Sequence, residues 1–428
     1  MPQRDTYEKI NDSEILSLDL ILDSGDPISL LDMYVEFSVF QDLFGTPMTC
    51  EMIVADANDV LQSLPIKNNE MLNIGFYSPG NNPVNMTMFL YSRENVVLNK
   101  SGSTTYYKLK FISPEVIQNS KIKTSRSYTG TISDIAGAIW SDNFPNSVPL
   151  NTGASEGEHT LVLPFDSPFS HIKHLSQKAM KSEHECGFFF FEDFSGWNFA
   201  SLSDMFTQEI RPDSYFTHRL KATGQELGKD LFSSRFIFKD VEFLGKENHL
   251  DELTSGVYSG FVTKYDVRNK SVNHYSYSYE DGFATTTHLN EHRIAPSTVL
   301  EDACSSTLAN YHLYNGVFSP DSLIKRKSQI NSFIGRRFRF SVAGNSSLNV
   351  GDKVKIDFSK QKFAEKVGED LKDKYRSGVF LVTSVRHKLS KINGYTMSVE
   401  VCSDSYASPI PDESRFESNQ TGTEGEQR

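Results

Sequence analysis

Polar and apolar positions alternate with period two through much of this chain, most regularly between Asn345 and Ser403. Val354, Ile356 and Phe358 alternate with Lys353, Lys355 and Asp357, and Tyr395, Met397, Val399 and Val401 alternate with Thr396, Ser398 and Glu400. Successive side chains of a strand point to opposite faces, so each run predicts a strand with one buried and one wet face. The run from Ser377 to His387 predicts a third strand between them, and a charged insert, Ser359 to Arg376, interrupts the series. The same signal predicts strands over Ile15–Leu22, Met33–Phe40, Met48–Val54, Glu70–Phe76, Met86–Tyr91 and Tyr106–Ile112. Asp56–Leu61 reads as a short helix with Asp56 as its N-cap.

The period changes after Ser113. Ile132, Ile135, Ala136 and Ile139 share one face of a helix over Thr131–Trp140, and Phe169, Ile172 and Leu175 share one over Ser167–Met180, capped by Ser167 or Asp166. Gly187–Glu192 and Trp197–Leu202 predict a hairpin through Asp193–Gly196. Ser233–Leu244 reads as a strand or a short helical piece, and Val257–Tyr279 as a long hairpin turning at Arg268–Ser271. Leu300–Tyr314 reads as a helix, and strands resume at Arg337–Val342.

The fold class is therefore mainly β with α+β insertions: two similar antiparallel β-barrel-like units and an intervening α+β domain. The expected division is a flexible arm over 1–13, a first β unit over 14–115, and an α+β domain over 116–230 completed by 265–330. A second β unit takes 231–264 and 331–408, and 409–428 is an acidic tail expected to be flexible. The similarity rests on a weak internal repeat. Glu70–Phe76 matches Asp352–Phe358, Phe89–Leu90 matches Phe380–Leu381, and Tyr107–Phe111 matches Tyr395–Val399. Alternation alone also produces such matches. The charged insert makes the second copy longer. Its Phe363, Val367 and Leu371, spaced by four, read as an amphipathic helix docked on its own domain. The alternative is that they form, with Tyr375 and Arg376, a candidate subunit or partner contact.

Composition narrows the function. Phe at 31 and Tyr at 18 against only 2 Trp agrees with a β-rich chain. No apolar run approaches the ~18 residues that span a bilayer, and the polar Met1–Asp5 has no signal-peptide character. Cys50, Cys186, Cys304 and Cys402 are too scattered for a metal knuckle and read as buried free thiols. A net charge of -12 argues against a protein that grips nucleic acid, though not against one that nucleic acid slides past. Gly153–Gly157 matches G-x-S-x-G but lies in a loop, not at a strand-to-helix elbow. His171, His174 and His184 have no completing ligand at recognisable spacing. Glu183, Glu185, Glu192 and Asp193 could supply a glycosidase pair, which keeps a β-rich hydrolase or glycan-binding protein as the rival reading; a solvated face is the default. No catalytic, cofactor-binding or metal residue is nominated, and no cofactor is expected.

The turn Asn345–Asp352, the strand Gly378–His387, the closing strand Tyr395–Ser405 and Ile53–Leu72 together resemble the baseplate hub of contractile-tailed phages. The same pattern occurs in the hub halves of valine–glycine-repeat spike proteins of type VI secretion and in siphophage tail-associated proteins. The resemblance covers most of residues 14–408 and is diffuse. It implies a non-enzymatic structural protein of the virion tail baseplate, present in the host cytoplasm during assembly. The two β units would be tube-type domains, and a homotrimer would form a pseudo-sixfold ring. Implied partners are the central spike, tail-tube or tube-initiator proteins, the tape measure protein and baseplate wedge proteins, with DNA only in transit. A tail-associated hub of a non-contractile phage fits the same pattern.

Overall fold

The computed structural model describes residues 7–22, 25–45, 47–57, 61, 70–98, 104–218, 234–245, 256–266, 269–294, 310–314, 322–360 and 372–409. The first unit contains β1 (Glu14–Ile21), β2 (Pro27–Ser29), β3 (Tyr34–Asp42), β4 (Thr49–Asp56), β5 (Met71–Tyr77), β6 (Val84–Leu98) and β7 (Thr105–Ile112). These pair in the order β2-β1-β5-β6-β7-β4-β3. The alternation delivers what it predicts: Leu18, Leu20, Leu72, Ile74, Met88, Leu90, Leu109 and Phe111 line one buried face. The expected helix after Asp56 lies mostly outside the described residues. Asp56 itself ends β4, and its carboxylate accepts the Leu61 N–H at 2.8 Å.

The middle domain contains α1 (Pro114–Lys121), β8 (Ser127–Gly130), α2 (Ile132–Asn143), β9 (Asn151–Thr152), β10 (His159–Val162), α3 (Pro168–Ser176), β11 (Phe188–Asp193), β12 (Gly196–Ser201) and α4 (Leu202–Thr207). Thr131 caps α2 and Ser167 caps α3, each accepting a backbone N–H three residues on. The apolar stripes of α2 and α3 close over the β11–β12 hairpin, where Trp140, Phe169, Phe190 and Trp197 pack ring to ring.

The remainder contains β13 (Tyr215–His218), β14 (Ile237–Phe243), β15 (Ser259–Asp266), β16 (Ser271–Ser278), α5 (Tyr279–Thr285), β17 (His292–Arg293), β18 (Asn310–Tyr314), α6 (Ser322–Gly335), β19 (Arg336–Ala343), β20 (Lys353–Asp357), β21 (Gly378–Ser390), β22 (Gly394–Ser403) and β23 (Ser405–Tyr406). Six of these strands form a closed barrel, β13-β20-β21-β22-β19-β14, with β14 returning to β13.

Several expectations are corrected. Asn310–Tyr314 is a strand, parallel to β15, rather than the end of a helix. Tyr215–His218 falls within the 116–230 expected for the middle domain, but it pairs with β20 and β14 of the barrel. The expected boundary at 264 cuts β15: its Ser259–Lys264, expected in the second β unit, pair with β16 and β18 in a separate sheet. Residues 7–13, read as part of a loose arm, are pinned: Asn11 O accepts the Tyr395 N–H at 2.9 Å, and the Tyr7 ring lies 3.5 Å from the Arg235 guanidinium. Glu400, expected on a wet face, is buried because Arg337 and Arg339 of β19 reach across to it.

The two β units share one strand plan. The order β1-β5-β6-β7-β4-β3 repeats as β13-β20-β21-β22-β19-β14, with one difference: β1 runs antiparallel to β5, whereas β13 runs parallel to β20 and to β14, the strand on which the second unit closes. The ladders set the equivalence: Leu72 faces Met88 as Val354 faces Phe380. Likewise Leu90 faces Phe111 as Val382 faces Val401. Phe380 is thus matched by Met88, not by Phe89 as the sequence suggests. A one-residue slip swaps faces, and Phe89 is only half-buried where Phe380 is fully buried. The Tyr107 match to Tyr395 is off by two, which keeps the face.

The units are joined along β21. Its first residues pair with β20, and Ser384–Ser390 pair on the same edge with β3 of the first unit. The Phe76 ring then bridges all three parts of the chain. It packs edge-on against Phe37 at 5.9 Å, Phe194 at 5.9 Å and Tyr395 at 5.7 Å. Phe76→Ala should therefore cost about 3–5 kcal/mol and lower a single unfolding transition, followed by chemical denaturation. Two separated transitions, with the second β unit unaffected, would contradict a shared core.

Candidate functional site

The turn Asn345–Asp352 is the junction of the three parts. Gly351 adopts φ +86, a conformation suited to glycine, and its N–H donates to Val382 O at 2.8 Å. From the first unit, the fully buried Gln41 donates to Asn349 Oδ1 at 3.1 Å and accepts the Val350 N–H at 3.0 Å. Asn81 donates to Asn345 Oδ1 at 2.7 Å, and Ser78 and Ser346 share a hydrogen bond at 3.1 Å. From the middle domain, Asp213 accepts from Asn345 Nδ2 at 2.9 Å, and Arg211 forms an ion pair with Asp352. Burial nevertheless pushes the Asp352 carboxyl up to about 6, with Arg211 opposing it. Side chains shared this way hold the units in one register. A buried polar group left without its partner costs about 1–3 kcal/mol.

The four acids of the hydrolase reading do not converge. Glu192 and Asp193 are neighbours on β11 and so point to opposite faces. Glu192 accepts the Met48 N–H at 2.8 Å and the Ser113 hydroxyl, tying the ends of β4 and β7 to β11. Asp193 closes the hairpin turn through Ser195 N at 2.7 Å and Gly196 N at 3.1 Å. Glu185 accepts from Ser203 and Thr287 at 2.8 and 2.7 Å, while Lys325 reaches the backbone of Glu183. The G-x-S-x-G serine accepts the Ser133 N–H at 2.9 Å in the first turn of α2. His171 bonds Pro164 O at 2.8 Å. Among the described residues, no group of three His, Cys, Asp or Glu is placed to hold a metal. Cys50, Cys186 and Cys402 are buried free thiols, and Cys304 lies outside the described residues.

Of the insert's candidate contacts, Phe363, Val367 and Leu371 lie outside the described residues. The insert's base is closed by the bridge between Ser359 and Lys372 and by Ser377 Oγ accepting the Phe358 N–H at 2.9 Å. Tyr375 and Arg376 stand beside a groove of about 420 Å³ that includes Phe243, Arg336, Phe338 and Tyr406. Arg336 is its fixed centre. Its guanidinium lies 4.6 Å from the Phe380 ring and 4.5 Å from Tyr406, and it donates to the carbonyls of Tyr375, Arg376 and Ser405. Phe243 is 55% exposed and Tyr375 44% exposed, and the Arg376 guanidinium covers the Phe243 ring at 5.2 Å. Sequence reasoning reached Tyr375 and Arg376 but missed Phe243, Arg336 and Tyr406. They come from three distant segments, and no spacing in the chain announces the cluster.

No family model matches the sequence, and no curated protein matches it. Solved structures do match. The tail protein from Neisseria meningitidis MC58 aligns with a TM-score of 0.55 at 10% identity, over 92% of this chain and 99% of that one. The 43 kDa tail protein of prophage MuSo2 from Shewanella oneidensis aligns with a TM-score of 0.55 at 11% identity, over 91% and 98%. The chain has the fold of phage tail proteins, as the resemblance in its sequence implies.

Burial pushes the Glu192 carboxyl up to about 8, against the hydrogen bonds from Ser113 and Met48. The folded-state value lies above that of an unfolded glutamate, so protonation favours the fold. This contribution is complete below about pH 4.5 and is lost as pH rises through 8. Glu192→Gln, which cannot ionise, should gain stability relative to the parent across that window and hold the gain above it. Thermal unfolding of both chains between pH 4 and 9 measures the difference; a difference independent of pH would contradict a buried, protonated Glu192.

Proposed function

We propose that this protein is the non-enzymatic structural hub of a phage tail. Three copies would close into a ring that presents six tube-type β units around a channel. The carrying observation is the strand plan repeated within one chain and fused through β3 and β21. Two equivalent units per chain let a threefold assembly offer near-sixfold symmetry, which suits a piece between a sixfold tail tube and a threefold spike. The likeness to the two tail proteins supports the same reading at the level of fold.

In this reading the first tube-type unit takes 14–115, and the second is built on β13, β14 and 331–408. The middle domain, with the sheet of β15, β16 and β18, lies outside the ring of barrels. The insert 359–376, with Phe363, Val367, Leu371, Tyr375 and Arg376, contacts a neighbouring subunit or partner. The ring's partners are the central spike, the tail tube or its initiator, the tape measure and the baseplate wedges. Its place is the virion baseplate, reached by assembly in the host cytoplasm. DNA passes through without being held, and a net charge of -12 favours sliding over binding.

Light scattering on the purified chain, alone and with its spike and tube partners, tests the ring. The expected mass for the hub component is three times the 48.3 kDa of one chain. A hub that stays monomeric with both partners present would overturn it.

A further inference from the structure

The groove at the base of the insert has the composition of a protein-binding hot spot. Exposed Phe243 and Tyr375 flank it, Arg376 lies over the Phe243 ring, and Arg336 and Arg337 form its floor and wall with Tyr406. Arginine and aromatic side chains in a preformed cleft supply most of the energy of peptide recognition. Arg336 is held between two rings by backbone carbonyls, so the groove's shape is set before anything enters it.

The chain itself leads a suitable occupant to this place. Tyr406 lines the groove, and the last described residue, Pro409, follows three positions later. Residues 410–428 lie outside the described residues. They carry Asp412, Glu413, Glu417, Glu424 and Glu426 against Arg415 and Arg428, and their large apolar residues are Ile410 and Phe416. Phe416 is followed directly by Glu417 and preceded by Arg415, with Glu413 and Asp412 three and four residues upstream, so the stretch around it is net acidic and suits an arginine-rimmed aromatic cleft. A short tether also raises the local concentration of such a segment to about the millimolar range.

We propose that the acidic segment 410–428 docks in cis into this groove, with Phe416 between Phe243 and Tyr375 and the neighbouring carboxylates facing Arg376. The groove and a subunit contact through Tyr375 and Arg376 then exclude each other, so a neighbour using these residues displaces the segment. This inference concerns the single chain and stands whether or not a ring forms.

The test uses the full-length chain with the photoreactive p-benzoylphenylalanine in place of Phe416. After irradiation, cross-linked peptides are mapped by mass spectrometry. The expected product links position 416 to peptides containing Phe243 or Tyr375–Arg376, in chains that migrate as monomers on a denaturing gel. Its yield should fall about fivefold or more in Arg376→Glu, in the double variant Glu413→Lys with Glu417→Lys, and in salt of about 1 M, where the Debye length shrinks to about 3 Å. The charge variants in the segment leave the groove itself untouched. Links scattered over the surface, links only between chains, or a yield indifferent to both charge changes would overturn the proposal. So would a probe at Phe363 that captures the same groove peptides while one at 416 does not.

Discussion

The structure depends on one strand having its edge fully occupied. β21 pairs with β22 along nearly its whole length on one side, and on the other it changes partner midway. Gly378–Leu381 face β20, and Ser384–Ser390 face β3. At the change, the backbone groups of Val382 and Thr383 are taken by Asp352 O, Gly351 N and Leu43 N. A bulge between Val382 and Ser384 turns the strand from one sheet direction to the other. These three bonds carry the pairing of this edge across the gap between β20 and β3. The second barrel closes on the first half of β21, and the first unit hangs on the second half. The Asn345–Asp352 turn sits at the switch, which explains why it also collects Gln41, Asn81, Asp213 and Arg211.

Side chains on β21 follow from that double pairing. Val385, His387 and Leu389 alternate onto one buried face, and the bulge between Val382 and Ser384 brings Val382 onto it as well. Burial pushes His387 down to about 3, so its imidazole is neutral and shares a hydrogen bond with Tyr395 at 2.8 Å. Its ring packs on Phe194 of the middle domain at 4.8 Å. His387 therefore brings no charge to this contact between the second β unit and the middle domain.

Much of this was legible in the chain. Strands with one wet face, such as β4, β20 and β22, announce themselves by alternation, and α2 and α3 by their apolar stripes and caps. Elements that lean on tertiary contacts did not. β13 is four residues long and owes its place to parallel partners on both sides. α6 buries Ser322, Lys325, Ser328 and Ser332 beside Ile324 and Phe333, so its stripe does not read as apolar. α1 buries no residue. The β3–β21 pairing joins positions more than 340 apart, and no local pattern encodes it. The repeat was visible as composition, but its register, with Met88 rather than Phe89 opposite Leu72, follows only from the ladder. The candidate groove was half legible for the same reason: Tyr375 and Arg376 lie in one run, while Phe243, Arg336 and Tyr406 arrive from elsewhere.

Electron cryomicroscopy of the chain in the proposed tail assembly tests whether two units of one plan per chain make a threefold object nearly sixfold. The account predicts six barrels around one channel, alternating between the two units, with each β3–β21 seam inside a chain. A ring with one barrel per chain facing the channel, or no closed ring in the assembled particle, would contradict it.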